Sequence, residues 1–269
     1  MKNSVMATYG HGTENDFLLI FDPDDQISIS DKVVKALCDR VSGIGADGVI
    51  RITKIDGKWF MDYRNSDGSI AEMCGNGIRV MARYLVVKGH QGEGLFPINT
   101  RDGVKYLRVP MEGDISVNMG QVSDEGDEVT VLQNSHSYSA RYISVGNPHA
   151  VAFLDDLTEV GSLEKAPEVN PQSVFPHGVN IEFVEIISSD TLAMRVHERG
   201  SGETRSCGTG TCAVALAATI HTKGRLPARW VIKPPGGTLI VDIDAHSNAT
   251  LTGPALLIQD YDISDYFIQ

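Results

Sequence analysis

MDYRNSDGSIAEMCGNGIRVMARYLVVKG, residues 61–89, and MRVHERGSGETRSCGTGTCAVALAATIHTKG, residues 194–224, follow one plan. In each, a Met begins a short alternating stretch (Met61, Tyr63; Met194, Val196), the pattern of a half-buried strand. A Gly-bearing polar turn comes next, at Asp67-Gly68 and at Gly200-Ser201-Gly202. Cys-Gly-X-Gly then opens an apolar helical run that stops at Lys88-Gly89 or Lys223-Gly224, with Lys in the last turn and Gly beyond it. The spacing agrees: 74 − 61 = 13 and 207 − 194 = 13. Upstream, Asn15-Asp16-Phe17 begins 74 − 15 = 59 residues before Cys74, and Asn147-Pro148-His149 begins 207 − 147 = 60 before Cys207. Each Asn precedes a strand-like run, FLLIF or AVAFL.

Matched features in matched order point to a duplicated chain. The expected fold is α/β in the α+β sense: two similar halves, each a curved sheet around a helix whose first turn follows the cysteine. The join is expected after the strand ISVNMG, near Asn118 and before an acidic loop, SDEGDE, at 123–128. That gives halves of 1–118 and 119–255, with the last residues, about 256–269, expected to return to the first half.

Composition excludes several classes of function. With 42% hydrophobic and 22% charged residues, a chain of 269 residues builds a core without disulfides or metal. A formal charge of −12 and no Lys/Arg-rich run argue against nucleic acid and anionic membranes, which bind basic surfaces. The N-terminus lacks an apolar segment of signal-peptide length, and AVALAATI at 213–220 is far too short to cross a bilayer. A cytoplasmic protein is expected. The four cysteines, Cys38, Cys74, Cys207 and Cys212, form neither a disulfide framework nor a zinc-spaced set, so free thiols and no metal are expected.

The chemistry lies in the cysteine motifs. The first N–H groups of a helix have no internal partner, and the helix dipole leaves partial positive charge there. Glycines expose these N–H groups to a small carboxylate. A cysteine just before the first turn feels the same field, which lowers a thiol pKa from its free value of about 8.5. Each half therefore supplies a reactive sulfur beside an anion nest. Two such ends suit inversion of a tetrahedral carbon through a planar carbanion, with a base on one face and an acid on the other. N–H groups of Gly75, Asn76, Gly208 and Thr209 would stabilise the charge spreading onto the α-carboxylate. A lone cysteine before a helix is more often structural, and a lone Gly-X-Gly is weak evidence of phosphate binding. The matched contexts favour catalysis.

These segments resemble the diaminopimelate epimerase family over nearly the whole chain. GHGTENDF at 10–17 is similar to the family's Gly-X-X-Asn-Asp-Phe opening. GIGADG at 43–48, YRNSDGSIAEMCGNGIR at 63–79, GNPH at 146–149, GVN at 178–180, ERGSGETRSCGTG at 198–210 and PPGG at 234–237 follow in family order. The resemblance implies two pseudo-symmetric domains, each a barrel-like, mostly antiparallel eight-stranded sheet around a central helix. It implies cofactor-independent interconversion of LL- and meso-diaminopimelate, supplying lysine and peptidoglycan synthesis. Cys74 and Cys207 match the family's two bases. Asn15, Asn65, Asn147, Asn180, Glu198 and Arg199 match residues that hold the ligand's amino and carboxylate groups. Gly75-Asn76 and Gly208-Thr209 match the helix-end cradle, and His149 and Glu198 match residues that adjust the cysteine pKa values.

These assignments make chemical sense for a substrate with two ammonium and two carboxylate groups. Asn offers donors and acceptors, Glu198 suits an ammonium, and Arg199 can form a bidentate fork with a carboxylate. Taken alone, each Asn reads as a turn or cap residue, Glu198 and Arg199 as a solvated pair, and His149 as a satisfied core imidazole. One position departs from the pattern: many members carry Gln after the Asp of GIGxD, where this chain has Gly48. Proline racemase-like enzymes share the paired thiols but resemble Cys-Gly-His-Gly at the first motif. Phenazine-synthesis-type isomerases share the architecture and lack the paired thiols. A non-catalytic carboxylate or nucleotide binder would use the helix ends without exchanging a proton. A thiol-redox protein would need Cys-X-X-Cys, and pyridoxal phosphate would leave the twin thiols without a purpose. A small-molecule substrate is the expected partner, and a homodimer is compatible with the sequence.

Overall fold

The run NDFLLIF, Asn15–Phe21, is buried along almost its full length, which a strand achieves when both of its faces are covered. In the computed structural model, which describes residues 4–267, this strand lies between two helices. Successive strand side chains point to opposite faces. Leu18 and Ile20 join Val33, Val34 and Leu37 of the helix Asp31–Cys38, while Phe17 faces the helix Gly75–Val87 at Gly77.

The chain divides into two units, Met1–Val117 with Gly253–Gln269, and Asn118–Thr252. In chain order the first carries β1 (Met6–Gly12), β2 (Asn15–Phe21), α1 (Asp31–Cys38), β3 (Gly48–Ile55), β4 (Lys58–Asn65), α2 (Gly75–Val87), β5 (Gly94–Thr100) and β6 (Gly103–Val109). β7 (Ile115–Gln121) runs over the division. The second carries β8 (Ser123–Gln133), β9 (His136–Ser144), β10 (Pro148–Phe153), β11 (Glu168–Asn170), β12 (Asn180–Ile186), β13 (Thr191–Glu198), β14 (Gly202–Thr204), α3 (Gly208–His221), β15 (Ala228–Lys233), β16 (Leu239–Ile243) and β17 (Asn248–Gly253). β18 (Leu256–Asp262) belongs to the first unit, where it pairs with β1.

The ladders repeat. From β18 through β1, β2, β3, β4, β5 and β6 to β7, every neighbouring pair is antiparallel except β2–β3 and β4–β5, which are parallel. From β8 through β9, β10, β12, β13, β15 and β16 to β17, the parallel exceptions are β10–β12 and β13–β15, at the same two places. Each sheet curls around one helix: α2 touches β1, β2, β3, β6 and β18, and α3 touches β8, β9, β10, β12, β15 and β16. α2 is buried from Gly75 to Val86, and α3 over most of its length. A helix buried on every side is one enclosed by protein. The architecture is the mixed, mostly antiparallel sheet around a central helix, made twice.

Three local expectations need correcting. Met61 and Met194 lie within their strands rather than at the start, since β4 begins at Lys58 and β13 at Thr191. SDEGDE is not a loop. It lies in β8, where a register shift between Asp124 and Glu128 absorbs the extra residues and Arg141 of β9 pairs with Asp124 at 2.7 Å. α3 does not stop on Gly224: Lys223 takes the left-handed position (φ 56°) that Gly89 takes after α2 (φ 76°). Gly224 N–H then closes the helix on Thr219 O at 2.8 Å, as His90 N–H does on Leu85 O.

Candidate active site

Cys74 caps α2 from an extended backbone, and its sulfur accepts the Gly77 N–H at 3.4 Å. The cysteine is half-buried. Its Sγ lies 3.5 Å from Asn15 Oδ1, which also accepts from Asn76 Nδ2 at 3.2 Å. Two polar groups, one half-buried and one fully buried, set these amides. Asp47 Oδ2 accepts from Asn15 Nδ2 at 2.7 Å, which turns the Asn15 carbonyl towards the sulfur. Arg79, wholly buried in α2, donates to Asn76 Oδ1 at 2.9 Å and to Gly75 O at 3.0 Å. Behind Asp47, Arg40 binds Asp47 at 2.8 Å and forks onto both oxygens of Asp16 at 3.0 and 2.9 Å, while Tyr9 donates to Asp16 at 2.7 Å. Burial opposes the Asp16 charge, but Arg40 and Tyr9 overcome it and hold that carboxyl below its ordinary range. Burial and the charge of Asp16 push Asp47 the other way, upward.

Cys207 caps α3 in the same way, its sulfur accepting the Gly210 N–H at 3.4 Å with Thr209 Oγ1 at 3.6 Å. A chain of contacts leads inward. Asn147 Nδ2 reaches Thr209 Oγ1 at 3.4 Å, Asn147 Oδ1 meets His149 Nε2 at 3.0 Å, and His149 Nδ1 meets Glu182 Oε1 at 2.7 Å. His149 and Glu182 are fully buried, and Glu182 Oε2 has no hydrogen-bond partner among the described residues. Glu198 accepts a short hydrogen bond from the Thr204 hydroxyl. Burial, then Glu182, raises the Glu198 carboxyl despite that bond.

The expectation that a helix N-terminus lowers the thiol pKa fails at Cys207. Burial first, then the charges of Glu198 and Glu182, push that thiol far above its ordinary range, against the help of Thr209 and the Gly210 N–H. A dipole effect of roughly 0.3–1 kcal/mol does not offset desolvation together with two nearby anions.

The family model for diaminopimelate epimerase matches residues 7–124 and again 141–258, once in each half. The chain belongs to the diaminopimelate epimerase family. The diaminopimelate epimerase of Streptomyces coelicolor is 42% identical over 286 residues, covering 100% of this chain and 99% of that protein. That of Thermobifida fusca is 42% identical over 270 residues, covering 94% and 96%. Among solved structures, a PhzF-family phenazine biosynthesis protein of Bacillus anthracis superposes with a TM-score of 0.71 at 14% identity, covering 96% of this chain and 98% of that one. A probable proline racemase of Agrobacterium radiobacter gives 0.70 at 14% identity, covering 96% and 92%. Likeness at that identity concerns the fold.

Within this family framework, Asn15, Asn76, Gly75 and Cys74 gather at the start of α2. Asn147, His149, Gly208, Thr209 and Cys207 gather at the start of α3, with Glu198 close enough to act on the Cys207 charge. Asn180 gives both amide ends to the protein: Nδ2 donates to Pro148 O at 3.1 Å, and Oδ1 accepts the Arg199 N–H at 2.9 Å. Asn65 Nδ2 donates to Ser69 Oγ at 3.0 Å within its turn. The exposed Arg199 donates to His177 O at 3.2 Å.

Gly48 has a steric explanation. A Cβ there would meet Arg64 O at 2.5 Å and the Tyr63 ring at 2.7 Å, so Tyr63 fills the space a side chain at 48 would enter. Arg40, Arg79, Thr204 and Glu182 drew no reading from the sequence, Tyr63 read only as an alternating strand residue, and Asp47 only as part of GIGADG. For Glu182 a signal existed: it is an acid in the interior of an apolar strand, NIEFVEI. Among the described residues, no group of three or more His, Cys, Asp or Glu could hold a metal ion. No described helix is long and apolar enough to cross a membrane.

Proposed function

We propose that this protein is an amino-acid isomerase that epimerises diaminopimelate between its LL and meso forms, using Cys74 and Cys207 as the two bases. The observation that carries the proposal is the repeated N-cap: in each half a cysteine sulfur accepts the N–H three residues on, at the first turn of a buried helix. One sulfur, as thiolate, takes the α-proton. The other, as thiol, delivers a proton to the opposite face of the carbanion, and each sulfur leaves in the other's former state. The α-carboxylate is held on the first-turn N–H groups of Gly75, Asn76, Gly208 and Thr209, where the growing negative charge meets the helix dipoles.

Around this reaction, Asn15 and Asn147 orient the amino acid, Glu198 answers an ammonium group, and Arg199 swings from His177 O to fork onto the distal carboxylate. Asn65 and Asn180 complete the set of amides that hold the amino and carboxylate groups. His149 tunes Cys207 through Asn147 and Glu198. No cofactor enters, and the product serves lysine and peptidoglycan synthesis in the cytoplasm. The test is incubation with LL-diaminopimelate followed by NMR of both stereocentres. Conversion to the meso isomer until the two forms equilibrate is expected. An unchanged LL substrate, with the protein folded, overturns the proposal.

A further inference from the structure

The two halves fill one pair of positions with opposite chemistry. In the parallel ladder β2–β3, Phe17 lies opposite Gly48 and Leu19 opposite Ile50. In the parallel ladder β10–β12, His149 lies opposite Asn180 and Val151 opposite Glu182. Counting along the ladders, Phe17 corresponds to His149 and Ile50 to Glu182. The helices give the correspondence of Ile50 with Glu182 independently. A Cβ on Gly77, three residues after Cys74, would meet Ile50 Cδ1 at 2.9 Å and Phe17 Cε1 at 3.3 Å. A Cβ on Gly210, three residues after Cys207, would meet Glu182 Oε1 at 2.6 Å.

A benzyl and a butyl group thus lie under one cysteine turn, and an imidazole and a carboxyl group under the other. The fold does not require the polar pair, since the first half closes the same space with hydrocarbon. Burying that pair is expensive, and Glu182 keeps one oxygen unpartnered at zero exposure. The imidazole makes no hydrogen bond to the sulfur, because Nδ1 is taken by Glu182 and Nε2 by Asn147.

We propose that Glu182 is a positioning residue that makes Cys207 hold its proton in the ligand-free enzyme. The proposal deepens the epimerase assignment and rests on it for its consequence in turnover. The charged or titratable groups around Cys207 are Glu182 on β12, Glu198 on β13 and His149 on β10, while α3 offers the Gly210 N–H and the Thr209 hydroxyl. Two acids outweigh one imidazole that is already engaged. A turnover that starts from this state takes the substrate's proton with Cys74 and supplies one from Cys207. After one inversion Cys74 holds the substrate's proton and Cys207 is the thiolate. Loss of a proton from Cys74 to water and gain of one by Cys207 restores the start.

The test needs no substrate. The purified protein is alkylated briefly with iodoacetamide across neutral to alkaline pH, and modification of Cys74 and Cys207 is read separately by peptide mass spectrometry. The pH of half-maximal reactivity is compared, because restricted access scales a rate without moving its midpoint. In the unaltered protein the Cys207 midpoint is expected to lie above that of an ordinary thiol, about 8.5. Glu182→Gln keeps the shape, and it should lower the Cys207 midpoint by about one pH unit, a roughly tenfold gain in rate at fixed pH, with Cys74 unmoved. A Cys207 midpoint that stays in place in folded Glu182→Gln overturns the proposal. Should that variant fail to fold, the double variant His149→Phe, Glu182→Ile installs the first half's own pair. The same lowering is expected there, and its absence is equally fatal. Failure of the epimerase assignment looks different: diaminopimelate is not turned over while Glu182→Gln still lowers the Cys207 midpoint.

Discussion

Beneath the turn before α2 lie Phe17 and Ile50, with Asn15, Asn76, Arg79 and the Asp47 carboxyl beside it, whereas the turn before α3 has carboxyl groups and an imidazole beneath it. The contrast continues inside the helices. Five residues after Cys74 stands Arg79, and five after Cys207 stands Cys212, both fully buried (74 + 5 = 79; 207 + 5 = 212). The strand order, the two parallel ladders and the sulfur-to-N–H cap are common to both halves. Duplication thus fixed the location of the sulfurs, and later divergence set the electrostatics around each one. A racemising centre built from two identical halves would have no preference for which sulfur begins as base. Here the preference is written into side chains beneath the helices.

The largest expected effect comes from removing one sulfur. Cys74→Ala and Cys207→Ala should each lower epimerisation by at least about a thousandfold, because one face loses its acid or base. If the halves play opposite roles, the two variants should differ in which stereoisomer still exchanges its α-hydrogen with solvent deuterium. Mass spectrometry of each recovered isomer checks this. Identical exchange patterns in the two variants would break the comparison.

A smaller effect distinguishes the ladder partners of Phe17 and His149. Asn180, opposite His149, ties Pro148 O to the Arg199 N–H, while Gly48, opposite Phe17, leaves its space to Tyr63. Gly48→Gln, which restores the residue common in the family, should therefore destabilise this chain by about 1–3 kcal/mol in urea unfolding. The backbone carbonyl of Arg64 cannot retreat as a side chain would. A neutral result would show that the Tyr63 ring moves freely.

These features were unevenly legible in the sequence. Cys-Gly-X-Gly is a local pattern, so the caps, the helices that follow and the duplication could be read without knowing the fold. Asp47 on Asn15 and Glu182 on His149 join residues 32 and 33 positions apart. Their meeting depends on the register of a parallel ladder, which no local pattern encodes. Arg79 looked like an ordinary helix residue, because exposure of a helix face is decided by the sheet that wraps it. Lys223 in place of glycine hid the last turn of α3, and a charged strand concealed its bulge at Asp124. The thiol field at Cys207 went astray for the same reason: the dipole is visible in the sequence, and the buried acids opposing it are not.

The smallest expected effect is on stability at high pH. Below a thiol pKa of about 9, both folded and unfolded chains keep the Cys207 proton, and the group contributes nothing. Above it the unfolded chain releases the proton while folded Cys207, whose pKa is raised, retains it, so stability falls as pH rises. At pH 10 the loss from this group should be about 1 kcal/mol, and Cys207→Ala should lack it. Cys38, which burial pushes up to about 12, contributes equally to both proteins and cancels in the difference. Equal alkaline losses in the two proteins would mean that Cys207 is not held as thiol.

The central claim is that two different sulfurs handle the departing and arriving protons, and the isotope content of both isomers early in the reaction in D₂O tests it most directly. Starting from protiated LL-diaminopimelate, the meso product should carry deuterium at the inverted carbon from the first turnovers, while the recovered LL substrate stays protiated. Protium carried from substrate into product would show one base serving both faces. Deuterium appearing first in recovered LL substrate would show one base returning protons to its own face, and either result would contradict the account.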